Sequence, residues 1–218
     1  SRRSKNYIDD TEVEVQRRKT GGWELAISYM RFFEVGTFSA EWSFRRGTGA
    51  FGSKPAPEEA FGEGTSRMKF HQFLASWHQP FSLAQTELRY QSTLKLQHSH
   101  TPLTPQDQFC AGGRYTVRGT DGRQSLCSDR GLLWRNEISA QIPLTGWQIF
   151  FAGDLARLHR STLNLANHLV GAALGGRGAL SISGGVAQIE VFIGTPLHTP
   201  ASFQSAGITT GAQIYWQF

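Results

Sequence analysis

In the segment ELRYQSTLKLQH, residues 87–98, Leu88, Tyr90, Leu94 and Leu96 fall on one side of an extended chain. Arg89, Gln91, Thr93, Lys95 and Gln97 fall on the other. Successive side chains of a strand point to opposite faces, so this period of two means a sheet with one apolar and one polar surface. The alternation recurs along the chain. In TFSAEWSFR, Phe38, Ala40, Trp42 and Phe44 oppose Ser39, Glu41, Ser43 and Arg45. In WELAISY, Trp23, Leu25, Ile27 and Tyr29 oppose Glu24, Ala26 and Ser28. In VAQIEVFIG, Ala187, Ile189, Val191 and Ile193 oppose Gln188 and Glu190. No segment carries a convincing helical period, and the pattern predicts an all-β protein.

About ten strands follow, near 5–19, 23–33, 37–47, 66–78, 86–98, 131–142, 147–159, 169–182, 185–195 and 207–218. Many reach about ten residues, the length with which a tilted strand crosses a bilayer. A soluble sheet uses about five or six. Short connections at 34–36, 144–146 and 184–185 alternate with longer ones at 48–65, 99–130, 160–168 and 196–206. Periplasmic turns and extracellular loops of an outer-membrane barrel alternate in this way. A Thr-Gly-Gly turn expected at 20–22 breaks the alternation, because its position falls on the long-loop rim.

Composition narrows the environment. Only 39% of the 218 residues are hydrophobic, and no run approaches the roughly 18–20 apolar residues of a membrane helix. A strand-built membrane protein escapes that exclusion, since only one face of each strand is apolar. The net charge of +5 and pI near 9.5 raise the question of nucleic acid. The basic residues are scattered, however, with Arg17, Arg18 and Lys19 the densest run. The charge therefore reads as a solvated or lumen-facing surface, and no nucleic-acid partner is expected. No signal peptide is visible at Ser1, and the chain opens on a strand-like pattern as a mature protein or a fragment does.

One segment does not alternate. GGRYTVRGTDG, residues 112–122, sets Gly112, Gly113, Gly119 and Gly122 around Tyr115, Val117, Arg118 and Asp121. Glycine opens backbone angles closed to other residues, so the segment can fold as a compact hairpin that presents Arg118. A guanidinium is a rigid five-donor fork suited to a carboxylate. At the other end of the chain, GAQIYWQF puts Ala212, Ile214, Trp216 and Phe218 on one face of a final strand ending in an aromatic. It resembles the C-terminal signal read by the outer-membrane assembly machinery, with Ile214, Trp216 and Phe218 as the residues read.

GGRYTVRGTDG followed by DRGLLWRNE resembles the sixth-loop region of two-partner secretion transporters, the haemolysin-activator and filamentous-haemagglutinin-secretor family. NYIDDTEVEVQRR, PAPEEAFGEGTSRMK and TPLTPQDQF also read like this family's strands and loops, so the resemblance covers essentially the whole chain. It implies an antiparallel transmembrane β-barrel of sixteen strands, preceded by two periplasmic polypeptide-transport-associated domains. Residues 1–218 are then the C-terminal part of that barrel, about ten strands, with the sixth-loop hairpin at 99–130 folded inward. A ten-stranded sheet cut from a barrel has open edges, so a fragment is expected. The implied function is translocation of an unfolded partner exoprotein from periplasm to cell surface, the partner being an adhesin, haemolysin or contact-dependent toxin. Implied partners are that exoprotein, outer-membrane lipid and, during biogenesis, the barrel-assembly machinery. No nucleotide is implied, and folding of the partner outside supplies direction.

In the family the loop arginine pairs with an aspartate on the inner wall two strands downstream. The matching strand is IFFAGDLARL and the matching residue is Asp154. Asp154 shares a face with Ala152 and Ala156, while Phe151, Gly153 and Leu155 face the other way. Thr120 stands where the family usually has Phe or Tyr, and Ala156 where it usually has Gly. A solvated arginine–aspartate pair contributes roughly 0.2–1 kcal/mol, too little to hold a plug. Breaking a desolvated pair by deleting one partner costs roughly 3–5 kcal/mol, so the expected contact is partly desolvated.

The remaining signals are weaker. Cys110 and Cys127 bracket the hairpin in a protein that meets an oxidising periplasm, which leaves open a disulfide or two separate thiols. His98 and His100 lack a third ligand, so no metal is expected. Glu190, Glu137, Glu41, Glu12 and Glu14, with Arg135, Arg45 and Lys95, read as a mixed-charge lumen lining. Trp23, Trp42, Trp134, Trp147 and Trp216 are candidates for interfacial girdles. No Gly-x-Ser-x-Gly elbow, phosphate loop or metal-ligand spacing occurs, and Asp9 and Asp10, adjacent in sequence, are expected on opposite faces if that stretch is strand. Neither an enzyme nor a cofactor is expected. The alternatives are a barrel-assembly insertase, which also carries Val-Arg-Gly, and, in a different class, a soluble β-sandwich binding module.

Overall fold

The computed structural model describes residues 2–4, 7–8, 11–12, 18–160, 165–182 and 184–218. In chain order the first strands are β1 (Arg2–Ser4), β2 (Tyr7–Ile8), β3 (Thr11–Glu12), β4 (Arg18–Phe33), β5 (Gly36–Thr48), β6 (Lys69–Leu83) and β7 (Thr86–Ser99). Then come β8 (Phe109–Ala111), β9 (Leu126–Ser128), β10 (Arg130–Gln141), β11 (Gln148–Arg160), β12 (Leu165–Ile182), β13 (Gly185–His198) and β14 (Thr209–Gln217). Ten of them form a single antiparallel sheet in the order β1-β4-β5-β6-β7-β10-β11-β12-β13-β14. From β4 to β14 sequence neighbours are spatial neighbours apart from the short β8–β9 pair, and β2 pairs with β3 between β1 and β4.

The alternation read from the sequence becomes two unlike surfaces. Along β11, Phe150, Ala152, Asp154, Ala156 and Leu158 are buried, while Ile149, Phe151 and Arg157 are exposed. The covered face carries the charges Arg45, Lys95, Arg135, Glu137, Arg177 and Glu190. The other face leaves Leu25, Ile27, Phe151, Leu174, Val191 and Ile193 about half exposed or more. An apolar surface with nothing packed on it, backing a polar surface, fits a wall between hydrocarbon and an aqueous lumen. Two-residue turns at Glu34–Val35 and Ala84–Gln85 lie on one rim, and the long connections 49–68, 100–129 and 199–208 lie on the other. The fold is an antiparallel transmembrane β-barrel wall.

The main apolar cluster lies inside the lumen. Phe109, Ala111 and Val117 of the long loop pack against Leu133, Ala156, Leu158 and Leu169 of β10, β11 and β12, with Phe203 arriving from the β13–β14 loop. The loop is therefore packed against the wall as a protein interior is, although the wall around it is lined with charge.

Several boundaries differ from the sequence expectation. The strand expected at 5–19 does not run as one piece: Arg2–Ser4 pairs with Arg18–Thr20, and the small β2–β3 hairpin lies between them. Thr20, Gly21 and Gly22 are not a turn but the start of β4, and Gly22 lies opposite Gly47. There, an added Cβ on Gly22 comes within 2.9 Å of the Arg46 carbonyl oxygen. These glycines serve close strand approach, and the irregularity in loop alternation disappears with the turn. β6 continues through Pro80 to Leu83 rather than ending at 78. Pairing with β5 stops at Thr37 and His78, so Pro80 has a neighbour on one side only, where a missing donor is tolerated. The connection expected at 160–168 shrinks to four residues, because Arg160 pairs with Leu165. Glu14, Asp9 and Asp10 lie outside the described residues, and Glu12 falls in β3.

Candidate functional site

The loop between β7 and β10 is tied at its base. Cys110 and Cys127 are directly opposite in the β8–β9 ladder, 4.1 Å apart at Cα, and form a disulfide. Above the bridge the chain turns on Gly113, whose carbonyl accepts the N–H groups of Thr116 and Val117. Thr120 braces this turn: its hydroxyl accepts the Gly113 N–H at 2.6 Å and donates to the Val117 carbonyl at 2.7 Å. Both Thr120 and Val117 are buried. A small hydroxyl at 120 thus closes the hairpin on itself.

Close approach to the wall depends on glycine from both sides. Gly119 has φ of +99°, and a Cβ there runs into the carbonyl oxygens of Thr195 and Ala172. A Cβ on Gly171 of β12 runs into the Arg118 carbonyl oxygen. With both side chains absent, the loop backbone lies directly on β12 and β13.

That placement carries Arg118 onto β11 and β10. Its Nε donates to Asp154 Oδ2 and its Nη2 to Asp154 Oδ1, each at 2.8 Å, and its own backbone N–H donates to Asp154 Oδ2 at 2.9 Å. Nη2 also reaches the Asn136 carbonyl at 3.1 Å, and Nη1 binds Glu137 Oε2. The Asp154 side chain is 0% exposed and that of Arg118 11%. Ala152 and Ala156 flank Asp154 on the same face and leave the room in which the guanidinium lies.

The contact is one part of a longer chain of charges. Glu137 Oε1 binds Arg177, whose Nη1 lies 3.8 Å from Glu190 Oε2. Glu190 Oε1 accepts from Arg114 at 3.1 Å, and Arg114 also donates to Gln213 of β14 at 2.9 Å. Arg135 lies 3.7 Å from Asp154 and donates to the Tyr115 carbonyl at 3.2 Å. These residues surround a cavity of about 280 Å³ between the loop and the wall. Glu137, Glu190 and Arg135 were legible as lumen lining; Arg114 and Arg177 were not singled out. Their parity was available in the sequence, but the register that joins them was not.

A second contact anchors the hairpin from above. Asp121 accepts the Ala206 N–H at 3.0 Å, and its own N–H donates to Ser205 Oγ at 3.2 Å. Gln124 is bonded to Gln204 and Ser202 of the same β13–β14 loop. The Ala206 N–H, then that of Arg123, holds the Asp121 carboxyl below the ordinary carboxylate range.

Other residues singled out from the sequence take these places. Tyr115 is exposed at the hairpin tip, with the Arg114 guanidinium 5.3 Å from its ring centre. Gly112 and Gly122 adopt positive φ at the two ends of the hairpin. Ile214 and Trp216 lie on the outer face of β14, and Phe218 follows that strand fully exposed. His98 and His100 meet His71 on the outer face, and no group of ligands that could hold a metal occurs among the described residues.

Comparison with known proteins shows the family and the fold of this wall. The family model described as haemolysin secretion/activation protein ShlB/FhaC/HecB matches residues 1–178. Outer membrane transporter CdiB-2 of Burkholderia pseudomallei (strain 1026b) is 29% identical over 215 residues, which are 98% of this chain and 37% of that protein. Hemolysin transporter protein HpmB of Proteus mirabilis is 27% identical over 149 residues, 68% of this chain and 26% of that protein. Among solved structures, CdiB from Acinetobacter baumannii superposes with a TM-score of 0.81 at 27% identity, covering 97% of this chain and 36% of that one. CdiB from Escherichia coli shares the fold, with a TM-score of 0.83 at 21% identity over 96% of this chain and 39% of its own. The chain therefore spans less than half the length of each of these relatives. It belongs to the ShlB/FhaC/HecB family of haemolysin secretion/activation proteins, as a portion of a Gram-negative outer-membrane transporter barrel.

Proposed function

We propose that this chain walls a pore through which an unfolded partner exoprotein passes from periplasm to cell surface. The partner is an adhesin, haemolysin or contact-dependent toxin, and the Arg118–Asp154 pair holds the loop in its docked position. The observation that carries the reading is the loop itself, which turns back into the lumen and buries Arg118 against a wall carboxylate with 0% side-chain exposure. Two related proteins carry the names outer membrane transporter and hemolysin transporter protein, which supports a conduit rather than an enzyme.

A polar lining of mixed sign suits an extended polypeptide, because it offers no continuous apolar surface on which the cargo would stall. The docked loop occupies lumen volume that the cargo needs, so docking and passage compete, and the pair sets the balance. Ile214 and Trp216 of β14, with Phe218 directly after it, form the C-terminal signal proposed to be read by the assembly machinery.

The test is a secretion assay with the full-length transporter and its exoprotein. Arg118→Asp and Asp154→Arg each stop secretion, while the double exchange restores it. A double exchange that inserts as a folded barrel yet secretes no better than either single variant refutes the pairing role.

A further inference from the structure

The outer face of the wall changes character at its long-loop end. His71 of β6 pairs with His98 of β7, and Arg130 of β10 pairs with His159 of β11. Gly131 lies opposite Gln97, which brings Arg130 beside His98 and makes the four one row across four strands. Beyond this row Lys69 pairs with Arg46, and the His100 N–H donates to the Lys69 carbonyl at 2.9 Å. One pair nearer the bilayer centre, level with Leu132 and Leu96, Arg157 pairs with His168 on the neighbouring strands. The His100 ring centre lies 5.4 Å from that of His71 and 5.1 Å from that of His98.

Depth is set by the residues beneath. Trp42 stacks on His71 at 5.5 Å and Phe44 lies 4.7 Å from the same ring. Phe73 and Leu96, one pair further toward the bilayer centre, are apolar. Aromatic side chains of this kind mark the membrane–water boundary, and two residues of a strand advance about 6.6 Å. The basic row therefore stands at headgroup level, and on the leaflet from which the long loops emerge, the outer one.

Pairing separates these cations from those of the lumen. Arg45, Arg114, Arg118, Arg135 and Arg177 inside the wall each face a carboxylate within 4.0 Å. Arg46, Lys69, Arg130 and Arg157 on the outer face form no ion pair among the described residues, and the outward positions of β5, β6, β7, β10 and β11 carry no Asp or Glu. A set of unneutralised cations at headgroup depth needs an anion from outside the protein.

We infer that this surface, the row His71, His98, Arg130 and His159 flanked by Lys69 and Arg157, docks the phosphate-bearing headgroups of an outer-leaflet glycolipid. Strands lie about 4.8 Å apart, so a headgroup with two phosphates spans several of them and meets more than one cation. Guanidinium forks bind phosphate oxygens in pairs, and imidazole N–H groups add donors between them. A protein partner does not fit, because the row adjoins the aromatic girdle and lies within the leaflet. This assignment stands on the barrel wall alone and is independent of the cargo.

Native mass spectrometry of the detergent-purified full-length transporter, titrated with bisphosphorylated lipid A, dephosphorylated lipid A or phosphatidylethanolamine, tests it. Wild type retains the bisphosphorylated lipid in preference to the other two. Lys69→Gln, Arg130→Gln and Arg157→Gln each weaken that retention by about fivefold, and together by more. Arg31→Gln, an exposed outer cation at the short-turn end, leaves it unchanged. If the triple variant fails to insert, the exposed Arg157→Gln alone carries the comparison. Equal retention by wild type and variants, equal binding of the dephosphorylated lipid, or an equal loss in Arg31→Gln overturns the assignment.

Discussion

Glu137 binds Arg118 of the loop through Oε2 and Arg177 of the wall through Oε1. One carboxylate thus joins the loop side of the docked contact to a strand of the wall. Glu137→Gln removes that charge but leaves the Asp154 fork intact. The variant loses about 1.5–3 kcal/mol, as for hydrogen bonds to a charged group. Asp154→Ala leaves Arg118 buried without its partner and loses about 3–5 kcal/mol. Thermal unfolding midpoints followed by heat-dependent gel mobility rank the two, and a larger loss for Glu137→Gln contradicts the assignment of Asp154 as the main anchor.

Gly171 and Gly153 give a matched pair of small-to-large changes. Valine at 171 pushes into the Arg118 carbonyl, whereas nothing lies within 4 Å of a Cβ at 153. Gly171→Val weakens docking by about 1–3 kcal/mol, the usual cost of overpacking, and Gly153→Val leaves docking unchanged. Protease cleavage within the loop of membrane-inserted protein reads the difference, and equal protection of both variants argues against backbone contact as the seat of docking.

Acid acts on the upper anchor. Because the Asp121 carboxyl is held below its ordinary value of 3.8, its ionised form favours the folded contact. Its contribution is complete above that value and is lost as pH falls below it, through the depressed folded pKa. The protection of the Ala206 amide, taken relative to its intrinsic exchange rate at each pH, therefore falls on acidification below about pH 4 in wild type. In Asp121→Asn this acid step is missing. A step of the same size in both proteins assigns the acid response to another group.

Reduction of the Cys110–Cys127 bridge removes a cross-link between residues 17 apart, worth about 3 kcal/mol by chain-entropy reckoning. The Val117 and Phe109 packing and the Arg118 contacts are untouched by it. Cys110→Ser with Cys127→Ser lowers the unfolding midpoint while hydrogen exchange at Val117 and Thr120 stays slow. Rapid exchange there in the double variant shows that the bridge, not the wall, holds the hairpin.

Alternation located most of the sheet, because burial on one face and charge on the other are written into each strand separately. β11 is the clearest case: every second residue from Phe150 to Leu158 is buried. Register is not written there. The shared binding of Glu137 by Arg118 and Arg177 needs β10, β11 and β12 aligned to the residue, and no single strand encodes that alignment. Asp154 was reached only through a family resemblance, for the same reason. Thr20–Gly22 and Pro80 misled because turn-favouring residues also serve close strand approach and one-sided pairing. The cysteines could be placed at the hairpin's ends, but their facing positions in β8 and β9 follow from the fold.

The charge chain around the docked loop has a further consequence for ion selectivity. With the loop in place, four arginines face Asp154, Glu137 and Glu190, leaving one positive charge in excess. In the undocking proposed for cargo passage, Arg114 and Arg118 leave with the loop, and the bared wall then holds Arg135 and Arg177 against the same three carboxylates. The sign of this patch reverses, so the bared stretch of wall favours basic segments of a traversing chain, while the other inner-face charges, Arg45 and Lys95 among them, are unchanged.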